Sequence, residues 1–164
     1  MTSCAIRRIR NEMKQWDKNF NTNNRYMTFS EDTSTVYIYF MDIGNIKDII
    51  FEINCYMSEY PFKPPKITYS LKNKKHEIVE IYKLSQNERE ELKLINSKMT
   101  CLCCYSFLCT DNWHVGLKMY DIAKEIEGFL ILRDRIKKRK LMRKVQIKEE
   151  KIPNDIWNEI ITYL

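Results

Sequence analysis

The chain has 164 residues, of which 44% are hydrophobic and 30% charged, and its 28 basic and 22 acidic residues give a net charge of +6. This composition is close to that of globular domains and supplies enough apolar residues for a core, which excludes wholesale disorder. No apolar run reaches the roughly 18 residues of a membrane span or forms an N-terminal signal, so we expect a cytoplasmic or nuclear protein without membrane contact.

The first predicted element is an amphipathic helix over residues 4–18. Its apolar stripe advances in steps of three and four residues, the period of one helix face, and consists of Ile6, Ile9, Met13 and Trp16. Basic residues, among them Arg7 and Arg8, cover much of the remaining helix surface. We expect the stripe to pack against the core.

Four strands follow, and each is rich in β-branched or aromatic residues. We place them at residues 26–29, 35–41, 49–57 and 67–71. A turn signal, Asp-Ile-Gly-Asn at residues 42–45, joins the second strand to the third and favours an antiparallel meander. The link before the fourth strand contains YPFKPPK, residues 60–66, whose three prolines exclude it from a sheet and predict a rigid extended turn.

Residues 72–93 are polar and charged, and they predict an inserted excursion that is partly helical. Within this segment, Ser85 and Glu88 have the spacing of a capping box at the start of a short helix.

A long helix is predicted from Leu117 to about Lys151. Its core-facing stripe consists of Met119, Ile122, Ile126, Phe129 and Leu130. The stripe thins beyond Arg133, so we expect the helix to leave the body of the protein there. Together these elements predict an α+β fold.

The surplus charge lies in the C-terminal tail. Residues 133–144 hold eight basic residues and one acidic residue, a net +7, so the other 152 residues sum to −1. Such a run can bind nucleic acid, but a solvated helix face is the favoured interpretation. After a break at Pro153, a short amphipathic helix ends the chain. We therefore expect a folded domain over residues 1–132 and a basic helical extension over residues 133–164.

The six cysteines are unevenly distributed. Cys4 and Cys55 stand alone, whereas four fall within nine residues: Cys101, Cys103, Cys104 and Cys109. Because thiols of an intracellular protein stay reduced, this cluster indicates a catalytic or metal site before it indicates disulfides.

The order of these features resembles that of the ubiquitin-conjugating enzymes. The shared order covers about residues 4–132. It begins with a helix and an antiparallel meander, continues with YPFKPPK and a further strand, and ends with a cysteine, a tryptophan and a long helix. YPFKPPK is the most specific local match. The resemblance implies an N-terminal helix, a four-stranded antiparallel meander, a catalytic-loop region and a long C-terminal helix.

The resemblance also implies which cysteine reacts. The family has its nucleophile in a string such as Cys-Leu-Ser-Ile-Leu, a few residues before a tryptophan and eight residues after an asparagine. Residues 104–108, Cys-Tyr-Ser-Phe-Leu, match the string loosely, Trp113 follows, and Asn96 lies eight residues upstream of Cys104. We therefore expect Cys104 to carry the thioester. Asn96 is expected to donate a hydrogen bond to the oxyanion or to hold the surrounding loop.

Several features depart from the family pattern. Cys101 is a rival nucleophile because a leucine follows it, although Lys93 stands where the asparagine would then be required. Leu94 and Ile95 replace the His-Pro that precedes the asparagine in the family, and an insertion separates it from YPFKPPK. Because of these departures, the alternative that the chain is an inactive relative of the family stays open.

Zinc binding is the alternative use of the cysteine cluster. Cys101, Cys104, Cys109 and His114 could supply four zinc ligands, with acceptable spacing inside each pair. Only four residues separate the two pairs, where roughly a dozen is usual, so we expect no metal.

Partner surfaces follow from the same resemblance. In the family, the first helix and two loops dock the activating enzyme and the ubiquitin ligase. Arg7 and Arg8 match the basic residues of that helix, and Phe62 and Lys63 match the loop anchor. An aromatic side chain on a proline-stiffened loop loses little entropy on docking, which suits a binding hot spot. The alternatives are core packing for Phe62 and a solvated face for the arginines.

We interpret the chain as a divergent ubiquitin-conjugating enzyme. It would accept ubiquitin from an activating enzyme as a cysteine thioester and pass it to a substrate lysine or to a ligase, without a cofactor. Two alternatives stay open: a non-catalytic scaffold that binds ubiquitin or a partner, and a zinc-stabilised nucleic-acid-binding module. The abundance of Ile, Lys and Asn is typical of an AT-rich genome, such as that of a large DNA virus.

Overall fold

An N-terminal helix, a five-stranded sheet and a long C-terminal helix make up the fold in a computed structural model of the chain. The structure describes residues 3–19, 25–43, 46–55, 59–99, 101–149, 153 and 156. The helices are α1 (Ser3–Asn19), α2 (Val79–Tyr82), α3 (Gln86–Ile95) and α4 (Met119–Glu149). The strands are β1 (Arg25–Ser30), β2 (Thr35–Ile43), β3 (Ile46–Asn54), β4 (Lys66–Leu71) and β5 (Lys74–Glu77).

The strands pair in sequence order, and each is antiparallel to the next. Alternate side chains of a strand share a face, and on the inner face Ile38 lies opposite Phe51. Both are fully buried, and they form one core with Ile9 and Trp16 of α1 and with Ile122 of α4. The predicted α+β layout and its antiparallel meander are confirmed.

The sheet has a fifth strand, which corrects the predicted number of four. β5 pairs with β4, and Tyr69 lies opposite His76. The strands are joined by Lys72 and Asn73, whose φ angles are 51° and 62°. A two-residue turn with two positive φ angles matches the twist of antiparallel strands, so it places β5 directly along the edge of β4.

Residues 72–93, predicted as a partly helical inserted excursion, are partly helical and pack into the fold. Besides β5 they form α2 and most of α3, and Ile81 and Leu92 lie in the main core. The predicted capping box of α3 is confirmed. The Ser85 hydroxyl accepts the Glu88 N–H, and the Glu88 carboxylate accepts the Ser85 N–H at 2.8 Å.

The core-facing stripe of α4 is confirmed, since all five of its predicted residues are buried. The prediction that the helix leaves the body of the protein at Arg133 is wrong, because Ile136, one turn further along, is also fully buried. Further along, Arg139 and Arg143 pair with the buried carboxylate of Glu91 on α3, at 3.4 and 2.8 Å. Removing one partner of such a pair leaves an uncompensated buried charge. Part of the basic run therefore holds α4 to α3.

The predicted last helix lies outside the described residues, apart from Pro153 and Ile156. Within the described part of the chain, every helix is too short or too polar to cross a bilayer.

Candidate thiol site

Three thiols converge in the loop before α4. The Sγ atoms of Cys101, Cys103 and Cys104 all lie within 4.8 Å of one another. The Sγ of Cys103 is 3.2 Å from that of Cys101 and 3.9 Å from that of Cys104. Cys103 begins a single 3₁₀ turn, Cys103–Tyr105, and the N–H of Cys104 donates to the Cys101 Sγ at 3.3 Å. Cys103 and Cys104 are exposed, and Cys101 is half-buried.

The sulfur contacts shift the thiol pKa values in opposite directions. A hydrogen bond from the Cys104 thiol lowers the pKa of Cys101, and backbone N–H groups of the turn add to this effect. The same contact, with that to Cys103, raises the pKa of Cys104 to about 12. An anionic sulfur disfavours a second charge beside it, so of these two thiols Cys101 is the one that loses its proton first.

Asn112 and Glu125 hold the turn that carries Cys104. The Asn112 Nδ2 donates to the carbonyl oxygens of Cys104 and Ser106, at 2.9 and 3.0 Å. The buried Ser106 hydroxyl and the Phe107 N–H donate to the Glu125 carboxylate, each at 2.6 Å. Burial raises the pKa of Glu125, although these two hydrogen bonds act against the shift. The turn is thereby attached to α4.

Asn96 lies at the C-terminal end of α3, where its side chain holds the next turn. Its N–H donates to the Leu92 carbonyl at 2.8 Å, and its Oδ1 accepts the Lys98 N–H at 3.1 Å. The Lys98 carbonyl in turn accepts the Tyr105 hydroxyl at 2.8 Å. These bonds connect Asn96 to the cysteine turn and support the loop-holding role, while the oxyanion role stays a prediction.

A buried hydrogen-bond network joins α1, the YPFKPPK loop and the segment before α4. The Tyr60 hydroxyl donates to the buried Glu12 carboxylate at 2.9 Å, which also accepts the Met119 N–H at 2.8 Å. Burial and the nearby Glu12 charge raise the pKa of Tyr60. The Trp113 Nε1 donates to the Pro61 carbonyl at 2.9 Å. Three segments far apart in sequence are thus held together.

Arg8 is engaged inside this network. Its Nε donates to Glu12 at 2.6 Å, and its Nη2 donates to the Leu117 carbonyl at 2.7 Å. The guanidinium also lies 5.3 Å from the ring centroid of Tyr60. Arg7 is exposed. Of the two arginines predicted to bind partners, Arg8 therefore has a structural role, and Arg7 faces solvent.

Phe62 and Lys63 lie at the tip of the YPFKPPK loop. The Phe62 side chain is 76% exposed, so it does not pack in the core. Lys63 is also exposed and pairs with Glu59 at 2.9 Å, a surface contact of little energetic weight. Both side chains are accessible to a partner.

The remaining cysteines occupy other environments. The Cys109 carbonyl accepts the N–H groups of Asn112 and Trp113. Within the described residues, the thiols that converge are those of the 101–104 segment, so the four-ligand set with Cys109 and His114 is not the one brought together. Cys55 is buried, and this burial raises the pKa of its thiol to about 12. A partner cannot reach a buried thiol, so Cys55 is not a candidate nucleophile.

An open groove of about 560 Å³ lies beside the cysteine turn. Aromatic side chains, Tyr105 and Phe107, line it together with Lys124 and Glu125 of α4. The groove therefore lies between the cysteine turn, through Tyr105, and α4.

Sequence reasoning missed the roles of Cys103, Asn112 and Glu125. The sequence pattern assigns Cys103 no role as nucleophile or ligand, yet its sulfur lies 3.2 Å from that of Cys101 and 3.9 Å from that of Cys104. Asn112 directly precedes Trp113 in the sequence, and nothing in that position indicates its hydrogen bonds to the cysteine turn. Glu125 is one of several charged residues of α4. Its contact with Ser106, 19 residues earlier, leaves no pattern in the sequence.

Comparisons of the chain with protein-family models, with curated proteins and with solved structures found no match. The functional interpretation therefore depends on the geometry described above and on the residue pattern of the chain.

Proposed function

We propose that the protein is a ubiquitin-conjugating enzyme in which Cys104 receives the carboxyl terminus of ubiquitin from an activating enzyme. The observation that supports this most is that hydrogen bonds hold together three segments that lie far apart in the sequence. They are α1, the YPFKPPK loop with Phe62, and the loop that contains Trp113.

These segments correspond to the first helix and two loops that dock partners in the family the sequence resembles. Here Glu12 links α1 to Tyr60, and Trp113 links the second loop to Pro61. Phe62 projects from this assembly into solvent. A fixed, exposed aromatic side chain suits a protein that must bind large partners while its cysteine stays accessible.

The proposed reaction is an exchange of thioesters. The Cys104 sulfur attacks the carbonyl carbon of the thioester between ubiquitin and the activating enzyme, and a new carbon–sulfur bond forms. The bond to the sulfur of the activating enzyme breaks, and that sulfur takes the proton that Cys104 gives up. The thioester already stores the energy for transfer to a lysine amine or to a ligase, so the proposal includes no cofactor.

Asn96 would assist by holding the loop or by donating a hydrogen bond to the oxyanion, a contribution of about 2.7–4 kcal/mol where such a donor is well placed. The proposed partners are ubiquitin, the activating enzyme, a ligase and substrate lysines, in the cytoplasm or the nucleus. A nucleic-acid role for residues 133–144 is less favoured because Arg139 and Arg143 are paired with Glu91.

The test is a charging assay. The chain is incubated with activating enzyme, ubiquitin and ATP, and the products are separated on a gel without reductant. We expect an adduct that thiols remove, that is lost in Cys104→Ala and that is kept in Cys101→Ala and Cys103→Ala. Cys109→Ala serves as a matched control within the same loop.

Each result has a defined meaning. Loss of the adduct in Cys101→Ala alone would move the nucleophile to Cys101. No adduct under conditions that charge another conjugating enzyme would overturn the enzymatic proposal. Binding of ubiquitin or of a ligase without any adduct would then favour the non-catalytic scaffold.

A further inference from the structure

The thiol cluster, defined as Cys101, Cys103 and Cys104, contains more sulfur than one nucleophile requires. Thioester exchange uses a single sulfur, and Cys103 has no part in the proposed reaction. We propose that the thiol cluster binds one soft d¹⁰ cation, zinc(II) or copper(I), through three thiolate ligands. This metal site goes beyond the proposed conjugating activity and does not rest on it.

The sulfur spacing fits such a site. A zinc–thiolate bond is about 2.3 Å long, so two thiolates on one ion lie about 3.8 Å apart in tetrahedral geometry and about 4.0 Å apart in trigonal geometry. The Cys103–Cys104 sulfur distance is already 3.9 Å. The Cys101–Cys103 distance of 3.2 Å has to open by about 0.6 Å, and no sulfur pair exceeds 4.8 Å.

The chemistry of the donors selects the cation. Thiolates are soft ligands that prefer copper(I) and zinc(II) over magnesium or calcium, which take oxygen ligands. Three thiolates in contact repel one another, and a cation between them removes that repulsion as the protons leave. The N–H of Cys104 donates to the Cys101 sulfur at 3.3 Å, as backbone groups around a metal–thiolate centre do.

The surroundings leave one side of the ion open. Two of the three cysteines are exposed, so an ion can enter from solvent without unfolding the loop. Cys109 and His114 are not part of the convergent group among the described residues. A bound zinc ion would therefore keep a fourth position for water or an external ligand, unlike a closed structural site.

The proposal is tested on the full chain, reduced and stripped of metal by a chelator. Zinc(II) is titrated in competition with a chromogenic chelator, and copper(I) is titrated in a second, oxygen-free arm. Cobalt(II) is used in a third arm because its sulfur charge-transfer absorption counts the thiolates bound. We expect one equivalent bound through three sulfurs, and the first two arms identify the preferred cation.

Serine substitutions locate the site. Cys101→Ser, Cys103→Ser and Cys104→Ser should each weaken binding at least about tenfold. Cys109→Ser and His114→Ala are the controls and should leave the affinity unchanged. Circular dichroism confirms that each variant is folded. Failure of the wild-type chain to bind, or an affinity that Cys103→Ser does not change, would overturn the proposal. Because no activating enzyme is present, this result is independent of the charging assay.

Discussion

The indole N–H of Trp113 donates a hydrogen bond of 2.9 Å to the carbonyl of Pro61, although 52 positions separate the two residues. The Trp113 ring also lies 6.0 Å from the ring of Tyr60, between centroids. The bond joins the loop that follows the cysteines to the loop that presents Phe62. Trp113 therefore ties the loop that carries Phe62 to the loop that follows the cysteines.

Trp113→Phe is expected to loosen this junction while it keeps an aromatic ring in place. The loss of one hydrogen bond costs about 1 kcal/mol, which lowers the melting temperature by about 2–4 °C in a chain of this size. Charging and ligase-dependent transfer of ubiquitin should both fall, since docking of either partner needs both loops. Thermal denaturation and the two assays measure this, with the exposed Val115→Ala as control. Equal losses in both variants would contradict the assigned role.

Phe62→Ala should reduce partner binding and leave stability unchanged. The side chain is 76% exposed, so its removal creates no cavity. If Phe62 is the hot spot of the docking surface, its truncation costs about 2 kcal/mol of binding energy, roughly a thirtyfold loss of affinity for the activating enzyme or ligase. Titration calorimetry measures the affinity. Leu94→Ala, which truncates another exposed apolar side chain, should not affect it.

Helix periodicity made α4 predictable, whereas the sequence of β5 contains no periodic pattern that would predict a strand. The stripe of α4 repeats at helical spacing over three turns, and burial follows directly from that repeat. The sequence Lys-Lys-His-Glu of β5 has no apolar alternation, and Lys72-Asn73 replaces the Asn-Gly that normally signals a hairpin. Pairing with β4, a tertiary effect, forms the strand.

The site was predictable in its members but not in its geometry. Clustering in the sequence pointed to the cysteines, and family spacing selected Cys104 and Asn96. The loop that contains them is irregular, however, and it has no period from which side-chain directions follow. The convergence of Cys103 with its neighbours depends on one 3₁₀ turn. That turn is held by Asn112, and it is attached to α4 through Glu125.

Glu88→Gln should destabilise the protein at neutral pH but not in acid. Partial burial alone would raise the pKa of Glu88, yet the hydrogen bonds from the Ser85 N–H and hydroxyl outweigh it and hold the pKa below the usual 4.5. A lowered folded-state pKa stabilises the protein above the unfolded pKa, and this stabilisation is lost as the pH falls through the folded value. At pH 7 we expect a loss of about 1 kcal/mol, typical of a helix cap.

Denaturant unfolding of wild type and Glu88→Gln, at neutral pH and near pH 3, measures this difference. The two proteins should converge in acid, where Glu88 is protonated and resembles glutamine. Glu90→Gln is the matched control, because Glu90 lies on the exposed side of the same helix. A difference that persists unchanged at low pH would show that the carboxylate charge does not act through the cap.

Zinc is expected to inhibit charging of Cys104 if the metal site and the conjugating activity reside in the same thiols. A sulfur that holds the ion cannot attack a thioester, and at one hundred times the dissociation constant only about 1% of the protein is metal-free. Cys103→Ser weakens the metal site at least about tenfold but leaves Cys104 in place, so at least about 9% of the variant is metal-free at that zinc concentration and its charging should exceed that of the wild type about ninefold. A chelator should restore charging of the wild type. The thioester that the activating enzyme forms on itself is followed in the same lanes as the control, since zinc can also act on that enzyme. Equal inhibition of wild type and Cys103→Ser would contradict a block at the thiol cluster.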